Sequence, residues 1–392
     1  MIRKITGCGL SIFWGGVIAF GYSGVMSAYW QQRFSVGNAE TGLIITFMLL
    51  ALAVAMFFSG KVHAKVGMAK CILIGSALYV LAFGILLAAQ NIYWVYAWGF
   101  VANLGCSFIY GPGLTTVQRA CPEKKGLVSG ILNLIFGVSA AVMSPILNVL
   151  LENRGYLFVN LFVIILIVLT NIVAYFLLCQ AEKAETSVLG AGPALDMSRD
   201  LSVGEALRTR QFWLIWFLWA FMGASGISMI SLSKSYTLAL GLTGVTILTA
   251  FNLANGCIRI FVGMLTDKIG SKVTGMAAFA LAGCGYLLMP HVVGIPMISL
   301  CAICVGVGFG TLFTVTGPMA SELFGLKNFG MIFGLIFTAY GMVGGIVGPA
   351  VSGFLLERTG GDYSMVFTYL GVMAFIGVVL MGCIKVEKIR NR

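Results

Sequence analysis

Arg259 and Asn255 stand four residues apart, so on a helix they share one face about one turn apart. A guanidinium is a rigid fork that meets a carboxylate with two N–H bonds, and a neighbouring amide can donate a third. The stretch around the pair, 246–265, reads TILTAFNLANGCIRIFVGML, with Arg259 as its one charge. An apolar run of that length crosses a bilayer, and an arginine near its centre costs roughly 2.5–3.5 kcal/mol on insertion scales. No Asp or Glu falls inside an apolar run of this chain, Glu40 standing at the edge of one. The expected partner is therefore an anion from outside the protein; backbone carbonyls or buried water are the alternative.

Aromatic side chains could complete such a site. Tyr22 and Tyr29 lie seven residues apart, two turns along one face, and Tyr110 directly precedes Gly111-Pro112. Phe309 with Phe313, and Phe337 with Tyr340, are spaced i, i+4 and i, i+3. A tyrosine hydroxyl can bond a carboxylate while its ring excludes water, although membrane packing and interfacial belts place aromatics in the same pattern. No nucleophile–base set or metal cluster is legible, so neither an enzyme nor a cofactor is expected. Gly306-Val307-Gly308-Phe309-Gly310 lies inside an apolar run with no preceding strand, which fails the context of a nucleotide loop. Cys301 and Cys304 have redox spacing but no further ligand beside them.

The elements that must position these residues are membrane spans. The chain is 59% hydrophobic and 9% charged, against about 25% charged in soluble domains. Apolar runs of spanning length fall near 8–30, 40–60, 70–90, 93–117, 126–150, 156–179, 211–233, 243–264, 273–290, 295–320, 329–355 and 363–384. This predicts an all-α membrane protein of twelve transmembrane helices, the first retained and not cleaved as a signal peptide. A β-barrel would show short alternating strands instead. With both termini placed in the cytoplasm, 19 of the 24 Lys and Arg lie inside. Four lie outside (Arg33, Arg154, Lys234, Arg358), and Arg259 stays in the membrane. That asymmetry satisfies the positive-inside rule and accounts for the net charge of +11 without a nucleic-acid partner. The expected location is the cell inner (plasma) membrane, multi-pass, with the lipid bilayer as surroundings and the protein a monomer.

The chain also repeats. Gly126, Gly130, Gly137 and Pro145 recur as Gly330, Gly334, Gly341 and Pro349 at an offset of 204. LLENRG at 150–155 recurs as LLERTG at 355–360, and Gly60, Lys65 and Gly67 recur as Gly263, Lys268 and Gly270. Between the halves lies the long polar stretch 180–210. The expected organisation is an N-terminal six-helix bundle (1–180), a cytoplasmic linker (181–210) and a C-terminal six-helix bundle (211–392), with 203–209 lying on the membrane surface. Parallel repeats of this kind place a site between the bundles near the midplane. Arg259 aligns with Met56, so the charge breaks the repeat, as a site residue would and a scaffold residue would not.

The loop Gly263-Met264-Leu265-Thr266-Asp267-Lys268-Ile269-Gly270-Ser271-Lys272 resembles that of the major facilitator superfamily. There the acid is associated with locking the inward gate, which implies gating roles for Asp267, Lys268, Gly263 and Gly270. The first copy departs from the pattern, with Ala64 in place of the acid. Three further stretches are similar to the oxalate/formate antiporter group, relatives of the monocarboxylate transporters. They are 110–117 with 125–130, Asn255 to Arg259, and 324–330 running into 337–341.

This resemblance implies a cavity lined by Arg259, Asn255, Tyr110, Tyr22 and Tyr29, with Tyr340, Phe309, Phe313 and Phe337 as further wall candidates. Dicarboxylate carriers of the group place a lysine near Tyr340, and proton-linked members place an aspartate where Asn255 stands. Both departures point to a small organic mono-anion carried by exchange. A second carboxylate would lie uncompensated in low dielectric, and Asn255 cannot titrate. An Arg259 left unpaired in the empty carrier would hinder its return, which again favours exchange. Proton-coupled symport, dicarboxylate antiport and a non-transporting solute sensor are the alternatives; cation efflux would need the opposite sign of charge.

Overall fold

The structure is a computed structural model describing residues 1–188, 200–241 and 246–385. Ten helices among the described residues are long and apolar enough to cross a membrane. Two of these are double, reversing at Gly67 (φ 82°) and Gly155 (φ 78°), so the chain makes twelve spans. We number them α1 (Ile2–Phe34), α2 (38–66), α3 (68–87), α4 (Ile92–Ala120), α5 (125–154) and α6 (156–188) in the first half. The second half holds α7 (Arg210–Ala239), α8 (Thr246–Ile269), α9 (Ser271–Leu288), α10 (Ile295–Phe324), α11 (Phe329–Arg358) and α12 (Tyr363–Cys383). Single π-helical turns interrupt α1 at Val17–Tyr22 and α11 at Ala339–Gly344.

The expected loop at 60–70 is helical except for Gly67. Backbone groups near a membrane are best satisfied within a helix, so only the residue that reverses the chain leaves it. Gly67 (φ 82°) and Gly270 (φ 86°) both do so in the left-handed region that favours glycine, and they occupy equivalent places in the two halves.

The repeated glycines form the contact between the bundles. In α5, a Cβ added to Gly126 would lie 2.5 Å from the Gly263 carbonyl oxygen of α8, and one on Gly130 would lie 2.5 Å from that of Arg259. In α11, a Cβ on Gly330, Gly334 or Gly341 would press on Gly60, on Met56–Phe57 or on Leu49–Ala53 of α2. Absent side chains thus let two helix pairs meet backbone to backbone. The α2–α11 contact is dense along Phe329–Thr338, thinner at Ala339–Gly344 and slight along Gly345–Arg358. The bundles are closed against each other at the end that carries the termini, and diverge toward the opposite end.

The linker expectation at 181–210 falls partly outside the described residues, at 189–199. Of its described residues, 181–188 continue α6 instead of leaving it, and 200–210 hold a short helix, Val203–Leu207, with a Ser202–Glu205 capping box. The Ser202 hydrogen bonds hold the Glu205 carboxyl below its ordinary value. Leu201 and Ala206 are buried, and the helix packs against α7 and α11.

Candidate functional site

Arg259 lies near the middle of α8 and is 3% exposed. Its Nε donates to the Asn255 main-chain oxygen at 3.0 Å, one Nη to the Asn255 side-chain oxygen at 3.0 Å, and the other to the Asn133 main-chain oxygen at 2.8 Å. The guanidinium carbon also stands 4.9 Å from the centre of the Phe313 ring, within cation–π range. The expectation of an arginine unpaired in the empty protein is therefore revised. Arg259 has three acceptors, and none of them is a carboxylate. Each guanidinium nitrogen thus has one neutral acceptor, and none of the three neutralises its charge.

On α5 the close approach is made at Gly130, where a Cβ would lie 2.5 Å from the Arg259 carbonyl oxygen, whereas one on Gly137 would only touch the guanidinium, 3.5 Å from its carbon. On α10, Gly306 and Gly310 let that helix lie against Phe251 and Asn255 of α8. Close packing, as expected, is what this glycine run supports.

Six of the aromatic and amide candidates gather around Arg259. Tyr110 donates to Asn133 Oδ1 at 2.5 Å, and its ring lies 6.1 Å from that of Phe337. Phe313 lies 5.4 Å from Tyr340 and 5.3 Å from Phe309. Together with Asn255 these rings form one wall, shared between α4, α8, α10 and α11. Tyr22 and Tyr29 are placed elsewhere. Tyr22 is fully buried within the first bundle, where it donates to Asn160 at 2.5 Å and packs on Trp30, Phe83 and Trp98. Tyr29 stacks on Tyr156 at 4.6 Å and accepts from Arg33 at 3.2 Å. Both point into their own bundle's packing instead of toward Arg259.

Two residues that sequence reasoning missed are central. Trp219 of α7 is fully buried, with its ring 4.5 Å from Phe337, 4.9 Å from Phe313 and 5.5 Å from Tyr340. Its signal was the tryptophan spacing of Trp213, Trp216 and Trp219, which puts large rings on neighbouring faces. Asn133 of α5 is also fully buried, and contacts Tyr110, Arg259 and Phe313. A polar residue in an apolar span was its signal.

At the termini end, the Asp267 carboxylate accepts from the backbone N–H groups of Gly126 and Leu127, each at 2.9 Å, at the start of α5. An acid at a helix N-terminus meets both unpaired donors and the favourable end of the dipole. Gly263 supplies the close approach, Gly270 the chain reversal, and Lys268 is exposed. The equivalent corner, where Ala64 lacks the acid, is built differently. Asp200 of the linker accepts from Leu326 and Lys327 N–H, each at 2.9 Å. On the same turn, Arg119 of α4 donates to the Leu326 carbonyl at 2.6 Å. Gly325 (φ 82°) is required there, because a Cβ would lie 2.1 Å from the Asp200 carboxyl.

Twelve spans in two repeated bundles, closed at one end over a buried arginine, define the class as a polytopic two-bundle membrane transporter. The chain belongs to the Major Facilitator Superfamily, whose sequence profile matches residues 8–341 and 229–391. It is similar to the oxalate:formate antiporter of Oxalobacter formigenes, at 27% identity over 73% of this chain and 68% of that one. It also resembles an uncharacterised transporter of the superfamily from Escherichia coli (25%; 82% and 79%) and human monocarboxylate transporter 11 (23%; 88% and 75%). Among solved structures, the fucose:proton symporter of E. coli has the same fold, with a TM-score of 0.69 at 15% identity over 98% of this chain and 99% of that one. This is a transporter and not an enzyme.

Proposed function

We propose that this transporter moves a small organic monocarboxylate by alternating access, exchanging one carboxylate for another. The observation that carries the reading is Arg259: a buried guanidinium whose protein acceptors are all neutral, set against an aromatic wall. An incoming carboxylate would take two of its N–H groups, and Asn255, whose oxygen already faces Arg259, would offer its Nδ2. Phe313, Phe337, Tyr340 and Trp219 would exclude water and limit the ligand's size. In this reading Tyr110 borders the site, and Asp267 on the α5 N-terminus holds the termini end shut. The relatives named for oxalate, formate and monocarboxylates support the substrate class. Exchange is favoured over proton symport because Asn255 cannot titrate and the acceptors around Arg259 are neutral.

The test is counterflow in proteoliposomes with labelled formate, acetate, lactate, pyruvate and oxalate. Arg259→Gln is expected to weaken the transported monocarboxylate at least about 30-fold, since a charge-assisted bond contributes about 2 kcal/mol. Arg259→Lys keeps the charge without the fork and is expected to fall between. Transport of every carboxylate at native affinity by Arg259→Gln would sink the site. Strong uptake into unloaded vesicles under an imposed pH gradient would replace exchange with symport.

A further inference from the structure

Asn133 makes two hydrogen bonds across the bundle interface. Its main-chain oxygen accepts from Arg259 of α8 at 2.8 Å, and its Nδ2 donates to the Phe313 carbonyl of α10 at 3.2 Å. Its remaining atom, Oδ1, is held by Tyr110 at 2.5 Å within its own bundle. The residue is 0% exposed, so no atom of it is left to water. At the offset of 204 its counterpart is Phe337, whose side chain has no amide to donate on the other side.

Both bonds lie on the closed side of the molecule. α5 and α8 meet there through Gly126 with Gly263 and Gly130 with Arg259. Opening that side requires α5 to part from α8 and α10. Arg259 then loses the Asn133 oxygen, and the Phe313 carbonyl loses its amide donor. A buried charge stripped of an acceptor is costly, whereas a carboxylate already on the guanidinium supplies the oxygens that parting removes.

We propose that Asn133 is a positioning residue that bolts the empty carrier shut at the termini end, and that a carboxylate on Arg259 takes the place of the bolt. Exchange then follows from geometry, because the unloaded protein stays fastened while the loaded protein is free to rock. The inference rests on the carboxylate site proposed above and adds the device that couples occupancy to opening.

The experiment compares exchange with net uptake in proteoliposomes, using labelled formate and labelled lactate. For the native protein, exchange into loaded vesicles is expected to exceed net uptake into unloaded ones by at least about tenfold, the ratio that loss of about 1.4 kcal/mol removes. Asn133→Leu keeps the volume and the main-chain oxygen on Arg259 but deletes the amide that ties α5 to the Phe313 carbonyl of α10, and is expected to lower that ratio about tenfold. A merely structural role would depress both fluxes together and leave the ratio unchanged, which overturns the bolt alone. Absence of native counterflow with either anion sinks the carboxylate reading and the bolt with it. If Asn133→Leu does not fold, the native protein still decides. Saturating formate is expected to speed backbone hydrogen–deuterium exchange in 126–133 and 259–269, and exchange that is unchanged or slowed by formate overturns the proposal.

Discussion

Arg259 was legible from the sequence because an arginine in an apolar run has few reasons to be there. Asn255 was legible through the i, i+4 rule, and the structure gives that pair two hydrogen bonds. Asn133 was harder to see, because its contact with Arg259 uses a main-chain oxygen that any residue would supply. Tyr22 shows the converse limit. Periodicity finds a buried face, but it cannot tell the core of one bundle from the interface of two, and Tyr22 belongs to the former. Tyr340 invites a change of specificity. It packs on the Phe313 ring, the same ring that lies against Arg259. Tyr340→Lys would add a second cation within the cluster. Oxalate is expected to compete at least about tenfold better against labelled formate in counterflow, about 1.4 kcal/mol. Unchanged competition would show that position 340 does not meet the ligand.

The helices were mostly read correctly because each is an unbroken apolar run. What the runs concealed were the connections: the end of α2, 60–66, looks like a loop by its lysines, yet stays helical to Gly67. Charge marks where a helix leaves the hydrocarbon, not where it ends. The glycines of α5 also differ in ways that spacing alone cannot rank. A Cβ on Gly130 would lie 2.5 Å from the Arg259 carbonyl oxygen, while one on Gly137 would find ordinary contact at 3.5 Å from the guanidinium carbon. Gly130→Ala is expected to lower stability by about 1–3 kcal/mol through overpacking, and Gly137→Ala by less than about 0.5 kcal/mol. Thermal unfolding in detergent separates them; equal shifts would mean that α5 and α8 are not closed in solution.

For the molecule as a whole, the repeat was read from glycines, and the structure explains their recurrence. Gly126 and Gly130 meet α8 as Gly330 and Gly334 meet α2, so the offset of 204 marks the two halves of one interface. The corners at the termini end are not symmetric, since Asp267 closes one and Asp200 with Arg119 builds the other. Ala64 flagged the difference, but a linker acid more than a hundred residues away could not be matched to it by spacing. The basic residues place both termini in the cytoplasm in our reading. An epitope at either terminus is expected to resist protease in intact cells and to be cut in inside-out vesicles; cleavage in intact cells would reverse the orientation.

The Arg259–Asn133 contact also bears on how the chain enters the bilayer. The two residues are 126 positions apart, and α5 is synthesised first. At common rates of about 5–20 residues per second, the acceptor carbonyl precedes the arginine by roughly 6–25 s. α8 is thus offered to a membrane that already holds part of its solvation shell. A second bundle expressed without the first should integrate α8 less efficiently, and co-expression of the first bundle should restore it.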